Sequence, residues 1–275
     1  LPPSSAASDV YKRQLISIIV NCYNGEKYLK QTLESIQKQN YTNWELIFWD
    51  NQSTDNSKAI FDSFNEPRFK YFYSEKFTSL YEARNLACRK CNGEFIAFLD
   101  CDDWWYDDFL SERESFFLNK QFKFSYSKFH YFFQKSDKFK INYENELPNG
   151  KIYDFLSKNY QVAISGLIVS KDLLEKINFF NKEFNIIGDY DAVMKISKIE
   201  EAHVIQKPLL SIRIHGENFS DRHRKMSFKE FKKWYFFQER DSFFNKNKFF
   251  FQKKLLHLFI VSITPKFLKD LLKKK

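Results

Sequence analysis

The sequence predicts an α/β protein: a Rossmann-like, mostly parallel sheet flanked by helices, with a helical extension at the C-terminus. Three observations carry that prediction. Strand-like and helix-like apolar patterns alternate four times before residue 100, several of the strand-like runs lead straight into polar turns, and the composition becomes basic and aromatic after residue 221. Alternation of the two periods is the signature of parallel strands joined by crossover helices. Ligands of such sheets collect at the strands' C-terminal ends.

Ile16, Ile18, Ile19 and Val20 form a short β-branched run bounded by Asn21 and the Asn24-Gly25 turn, which reads as a buried strand. Tyr28, Leu29, Leu33 and Ile36 then recur at helical spacing within residues 26–39, and the polar run from Gln37 to Asn40 closes that helix. A second buried strand is expected over 44–49, ending at Asp50-Asn51-Gln52-Ser53. Thr54 or Asp55 can cap a helix through Phe64, and a third strand follows over 69–73. Ser79 with Glu82 has the form of a capping box ahead of a helix over 83–91, which Asn92-Gly93 stops. Residues 95–99 are the fourth strand. Beyond it the pattern predicts a helix from 107 to about 119, strand-like stretches over 124–133, a polar connection to Gly150, a strand over 162–169, helices over 171–177 and 190–199, and a last strand over 209–214. No internal repeat is present.

The chain of 275 residues is 43% hydrophobic and 29% charged, enough to bury one sizeable core, which excludes wholesale disorder. Its 33 Phe and 15 Tyr accompany abundant Lys, Asn and Ile, a bias that fits an A+T-rich coding sequence better than a base-stacking surface. Net charge is +9, but residues 222–275 hold 16 Lys or Arg against 4 Asp or Glu, so the tail carries +12 and the remainder −3. A nucleic-acid partner is therefore not expected. The organisation expected is a disordered or foreign leader over 1–14, a catalytic domain over 15–221, and a basic aromatic helical tail over 222–275. Cys22, Cys88, Cys91 and Cys101 occur with no secretory signal, so a cytoplasmic location is expected. Cys88 and Cys91 form a lone CxxC inside a helical pattern, too few ligands for structural zinc. The longest apolar run, 255–263, is about half a membrane span. From Met226 onward, Lys and Arg interleave with aromatic residues in segments that can form helices with one basic and one aromatic face. Such helices suit the anionic inner face of the cytoplasmic membrane, or equally a cap packed on the domain.

The most chemical segment is Phe95-Ile-Ala-Phe-Leu-Asp-Cys-Asp-Asp-Trp-Trp105, a buried strand that delivers three carboxylates into a turn. Carboxylates this close repel unless a cation neutralises them, and hard oxygen ligands favour Mg²⁺ or Mn²⁺. Helix capping by Asp102 and Asp103 is the other use of such a run. The neighbouring turns add weight to the metal reading: Asn21-Cys-Tyr-Asn24 follows strand one, Asp50-Asn-Gln-Ser-Thr-Asp55 follows strand two, and Glu82-Ala-Arg-Asn85 precedes strand four.

In the order, spacing and flanking strands of these motifs, the sequence from about Leu15 to Ser220 resembles the family 2 glycosyltransferases of the GT-A fold, of the bacterial surface-polysaccharide and lipopolysaccharide type. The resemblance implies a nucleotide-sugar donor, UDP-linked by expectation, a glycan or lipid-linked acceptor, and Mn²⁺ or Mg²⁺ as cofactor. It implies that Tyr23 and Asn24 line the nucleobase pocket, that Asp50 and Asn51 lie near base and ribose, and that Arg84 lies beside the diphosphate. Asp100 then faces ribose or metal, Asp102 is the most direct metal ligand, and His215, in the closing Arg213-Ile-His segment, is a third ligand or a diphosphate contact. Gly188-Asp-Tyr-Asp191 resembles the acceptor-side acidic motif, with Asp189 as general base and Asp191 in reserve. Two positions depart from the family pattern: Asn51 stands where a second Asp is usual, and Gly188 where an acid is usual. The implied chemistry is inverting transfer by a single displacement. The competing readings are a nucleotide-sugar-binding scaffold without activity and a nucleotidyltransferase, although Asn21 to Lys27 shows neither strongly the Gly-rich nor the basic character expected of the latter's loop after strand one.

Overall fold

The computed structural model describes residues 14–118, 121–238 and 241–264. The leader expected over 1–14 lies outside them apart from Gln14, as does the tail beyond Thr264. In chain order the elements are β1 (Ile16–Cys22), α1 (Leu29–Gln37), β2 (Trp44–Asp50), α2 (Ser57–Asp62), β3 (Phe69–Tyr73), α3 (Leu80–Cys88), β4 (Phe95–Phe98), β5 (Trp104–Trp105), α4 (Glu114–Leu118), β6 (Phe124–Phe133), β7 (Lys138–Ile141), α5 (Tyr153–Lys158), β8 (Ile168–Ser170), α6 (Lys171–Lys176), α7 (Gly188–Ile199), β9 (Ala202–Ile214), α8 (Phe219–Arg222), α9 (Arg224–Phe237) and α10 (Ser242–Ile263).

Among the described residues, all nine strands join one sheet in the order β3-β2-β1-β4-β8-β6-β9-β5, with β7 paired to β6. The half made by β3, β2, β1 and β4 is parallel as expected. Past β4 the sheet is mixed: β8 runs antiparallel to both β4 and β6, β6 and β9 are parallel, and β5 is antiparallel to β9.

The period of two along each central strand divides the core. Ile18 and Val20 of β1, Leu46 and Phe48 of β2, and Ala97 of β4 face one layer with Leu29, Leu33 and Ile36 of α1. Ile19, Ile47, Ile96 and Phe98 face the other, shared with α3, α5, α6, α7, α9 and α10. Burial on both faces is why these strands read as continuous apolar runs rather than alternating ones. The tail helices belong to the second layer: Phe231, Trp234 and Tyr235 of α9 and Phe244 and Phe251 of α10 are all buried.

Several expected boundaries move for local reasons. The first helix begins at Leu29 rather than 26, because Asn24 takes a positive φ of 55° and the amides of Tyr28 and Leu29 both donate to Gly25 O. Ser79 caps α3 as its motif predicts, accepting from Glu82 N. The strand expected over 162–169 is a 3₁₀ turn at Ile164–Gly166 followed by the short β8. There, Trp105 Nε1 and Arg113 donate to the carbonyls of Ser165 and Gly166, using acceptors that a ladder would need. Strand β9 starts seven residues before the expected 209, its early part hidden by Gln206-Lys207-Pro208, where the register with β6 is irregular. Pro in a strand is tolerated at such irregularities.

Candidate active site

Strands β1, β2 and β4 end together, and the turn after β4 carries the three aspartates. Asp103 is engaged by the protein itself. It is buried, accepts from Ser165 Oγ (2.7 Å) and from the backbone N–H of Arg213 (2.9 Å), and so ties the turn to β8's approach and to β9. Burial, with Asp102 and Asp100 nearby, pushes its carboxyl well above the usual range. Thr32 Oγ1 of α1 donates to the carbonyls of Cys101 and Asp103, and Arg213 Nε donates to Asp102 O (2.9 Å). The Arg213 guanidinium is itself sandwiched by Tyr28 and Trp104. The turn is thus held from several sides, leaving the side chains of Asp100 and Asp102 as its variable parts.

Arg84, on α3 and almost fully buried, donates to Asp100 Oδ1 at 2.7 Å. Its guanidinium lies among the rings of Tyr81, Phe98 and Phe180, and its Nε has no partner among the described residues. A cation this buried is retained only where carboxylate and aromatic faces compensate its lost hydration. Burial raises Asp100 to about 6, with Arg84 pulling down and Asp102 and Asp189 pushing up. On the other side of the turn, His215 Nε2 lies 3.0 Å from Asp102 Oδ2. Asn218 fixes the loop that carries His215 by accepting from His215 N–H and donating to Arg213 O.

Asp189, in the first turn of α7, accepts at Oδ1 from Tyr81 O–H (2.9 Å) and from Tyr190 N–H (2.8 Å), while Oδ2 has no protein partner among the described residues. Tyr81 is a site residue that sequence reasoning missed, and it explains Gly188. A Cβ at 188 would lie 2.6 Å from Cγ and Cε2 of the Tyr81 ring, so only glycine admits the ring that reaches Asp189. Lys254 of α10 was also missed: its ammonium lies 3.8 Å from the Tyr190 ring centre, and burial lowers it to about 8 despite the attraction of Asp189.

Asp191, the reserve base, is placed elsewhere. Its carboxylate is buried between α7 and α9 and accepts from Lys195 (2.7 Å) and from Trp234 Nε1 (3.1 Å), so it holds helices together. Beside it, Glu230 of α9 accepts from the backbone N–H groups of Asn185, Ile186 and Ile187 at 2.8, 2.9 and 3.2 Å. A carboxylate at the start of α7 satisfies amides that the helix leaves unpaired and complements its dipole.

The two turns expected at the nucleobase are engaged with each other. Asn24 Oδ1 accepts from Thr54 N–H (2.8 Å), and Asp50, buried, accepts from Tyr71 O–H and Ser53 N–H, each at 2.7 Å. Asn51 donates to Thr78 O (2.9 Å) and accepts from Thr78 N–H and O–H. This is why Asn stands there: an Asp could not donate to the carbonyl. Tyr23 is the exposed member, 52% accessible and packed edge-on against exposed Phe77 at 4.8 Å. That pair leaves aromatic surface exposed beside the two turns.

Among the described residues, no three His, Cys, Asp or Glu side chains form a metal-ligand group. What the fold brings together is the pair Asp102 and His215, a part-exposed carboxylate and an imidazole, with Asp100 turned toward Arg84. Oxygen and imidazole donors suit Mn²⁺, and such ions commonly complete their shells with substrate phosphate oxygens and water. The residues present therefore fit a cation that shares its ligation with a diphosphate.

Residues 17–177 match the family model described as glycosyl transferase family 2. The chain is 32% identical over 165 residues to the Escherichia coli UDP-Glc:alpha-D-GlcNAc-diphosphoundecaprenol beta-1,3-glucosyltransferase WfgD, covering 60% of this chain and 64% of that protein. It is 27% identical over 171 residues to the putative teichuronic acid biosynthesis glycosyltransferase TuaG of Bacillus subtilis, covering 62% and 67%. The matches thus span about two thirds of those relatives' lengths. Among solved structures, Staphylococcus aureus TarS 1-349 in complex with UDP-GlcNAc superposes with a TM-score of 0.58 at 21% identity over 77% of this chain and 65% of that one. The mannosyltransferase PcManGT from Pyrobaculum calidifontis, in complex with GDP-Man and Mn²⁺, gives 0.68 at 14% identity over 91% and 73%. At these identities the structures establish the shared fold.

Proposed function

From the premise that the chain belongs to glycosyl transferase family 2, we propose that it moves a sugar from a UDP-sugar to a lipid-linked glycan acceptor in cell-surface polysaccharide synthesis, with inversion. The observation that carries the reading is the convergence at one end of the parallel half-sheet. There Arg84 meets Asp100, His215 meets Asp102, and Tyr81 holds Asp189 beside both. The two relatives named above act, by their names, in UDP-glucose transfer to a diphosphoundecaprenol-linked sugar and in teichuronic acid synthesis, which supports the donor and acceptor class.

In this mechanism Tyr23 and Phe77 receive the base. Arg84 lies beside the diphosphate, where a permanent cation with forked donors suits phosphate oxygens. Asp102 and His215 would hold Mn²⁺ or Mg²⁺, which supplies neutralisation of charge building on the departing nucleoside diphosphate. Tyr81 fixes the carboxylate of Asp189 through Oδ1, so that Oδ2 is left to take the acceptor hydroxyl's proton as its oxygen attacks the anomeric carbon. The second carboxylate of the helix, Asp191, takes no part. The basic tail, residues 222–275, associates with the anionic inner face of the membrane, where a lipid-linked acceptor lies. No described helix is long and apolar enough to cross a membrane.

A thermal-shift screen of nucleotide sugars with and without Mn²⁺ tests the donor, because a ligand that binds only the folded state raises its melting temperature. A Mn²⁺-dependent shift with UDP-sugars is expected; no response to any nucleoside diphosphate would overturn the reading. Release of UDP, rather than pyrophosphate, distinguishes glycosyl from nucleotidyl transfer.

A further inference from the structure

Between the start of α9 and the end of α10 lies an open recess of about 680 Å³. Arg222, Arg224, Lys225 and Lys229 line it together with Ser262 of α10, and Asp221 is its one acidic residue. Arg222 pairs with Glu217, and Arg224 Nε donates to the backbone carbonyl of Asp221. Lys225 and Lys229 have no ion-pair partner among the described residues. They lie four residues apart on one face of α9, an arrangement of like charges that weakens a helix, and the first turn of α9 contains no acidic residue. Left to itself, the recess is a place where charge works against the fold.

Its surroundings are apolar. Leu256, Phe259, Ile260 and Ile263 recur at helical spacing along α10 and are 59, 43, 50 and 61% exposed, and Phe219 of α8 is 50% exposed. Phe228 and Phe259 pack together and join the two helices beside the recess. Concentrated cations bordered by an exposed apolar stripe match the two parts of a phosphorylated lipid: an anionic head and a hydrocarbon chain. Asn218 holds the loop between the recess and His215, only seven residues before Arg222.

We propose that this recess binds the diphosphate of a polyprenyl-linked acceptor while the α10 stripe enters the lipid surface. The inference rests on the transferase reading, which makes a lipid-linked acceptor the substrate. A diphosphate, more densely charged than a single lipid phosphate, fits a recess whose Lys225 and Lys229 lack ion-pair partners among the described residues and stand beside Arg222 and Arg224.

The test is flotation of the full chain with three kinds of vesicle: phosphatidylcholine alone, phosphatidylcholine doped with a polyprenyl diphosphate, and phosphatidylcholine with phosphatidylglycerol at matched surface charge. Binding is expected to be strongest to the diphosphate vesicles. The pair Lys225→Glu and Lys229→Glu should weaken it at least about tenfold, while the matched reversal Lys232→Glu with Lys248→Glu, on the same helices but outside the recess, should weaken it far less. Equal binding to both anionic vesicles, or equal effects of the two double reversals, would overturn the site in favour of diffuse attraction. Undiminished binding by the recess variant would also overturn it. Circular dichroism melting confirms that each variant is folded. The Mn²⁺-dependent melting shift with UDP tests the donor reading on the unaltered chain separately, since no recess residue belongs to the donor site.

Discussion

Replacing Gly188 by Ala isolates the contact between α3 and α7. Ala favours helices over Gly by about 1 kcal/mol, so on propensity alone the substitution at the first residue of α7 would be neutral or stabilising. The geometry reverses the sign. The new methyl would lie 2.6 Å from two carbons of the Tyr81 ring, where ordinary contacts are well over 3 Å, and Tyr81 is only 2% exposed, with its ring stacked on Phe180. Overpacking of this kind costs about 1–3 kcal/mol. If the ring is driven away, its hydrogen bond to the Asp189 carboxylate is lost as well, worth about 1.5–3 kcal/mol for a charged acceptor. The expected outcome is a net loss of about 2–4 kcal/mol in urea denaturation, with a fall in turnover larger than any change in donor affinity. Combining it with Tyr81→Ala should cost less than the sum of the two single losses, because the clash is gone in the double variant, whereas activity stays low. A Gly188→Ala protein as stable and active as the parent would refute the claim that glycine is there to admit the tyrosine.

Four further outcomes follow from contacts elsewhere in the fold. Asp102→Ala and Asp189→Ala should each reduce UDP release by about a hundredfold or more, but only the first should also lose the Mn²⁺-dependent melting shift with UDP; full activity in either removes the role assigned to it. Asn51→Asp restores the residue usual in the family, yet it should lower stability by about 1–3 kcal/mol, because the Thr78 carbonyl loses its donor; an unchanged denaturation midpoint would contradict this. Glu45 is held at about 2, burial being outweighed by Lys70, Ser17 and Asn92. Its stabilisation is present above the ordinary glutamate range and is lost as pH falls toward 2, so Glu45→Gln should cost about 1–2 kcal/mol at neutral pH once solvent screening of the exposed Lys70 is allowed for, and flatten the acid limb of the stability profile; parallel profiles for the two proteins would count against it. Asp191→Asn should cost stability through the α7–α9 contact while leaving donor binding unchanged, and a loss confined to turnover would return Asp191 to the chemistry.

What was legible in the sequence was what short segments determine. The strands β1, β2 and β4 announce themselves by unbroken apolar runs, and the motifs at their ends lie within a few residues of those runs, so their shared location follows from topology alone. Pairings across long separations were not legible. Tyr81 and Asp189 meet across more than a hundred residues, and nothing local in Leu80-Tyr81-Glu82 marks the tyrosine as different from any buried aromatic. Asn51 and Gly188 looked like departures from a pattern; each is the complement of a partner, Thr78 and Tyr81, that only the fold supplies. The 3₁₀ turn at Ile164–Gly166 was hidden for the same reason, since its carbonyls are claimed by Trp105 and Arg113 from distant parts of the chain.

The three amides that Glu230 gathers before α7, together with the bond from Trp234 to Asp191, bear on the order in which the molecule is made. The turns after β1 and β2 find their partners early in the chain, Asn24 with Thr54, Asp50 with Tyr71 and Asn51 with Thr78, whereas the turn after β4 draws on Ser165 and Arg213. The start of α7 has no such early partner, because its unpaired amides wait for a carboxylate more than forty residues downstream. A nascent or shortened chain lacking α9 would therefore hold the turns after β1 and β2 before the start of α7, which carries Asp189, is secured. The ordering of Asp189 thus depends on the segment whose composition looks least chemical.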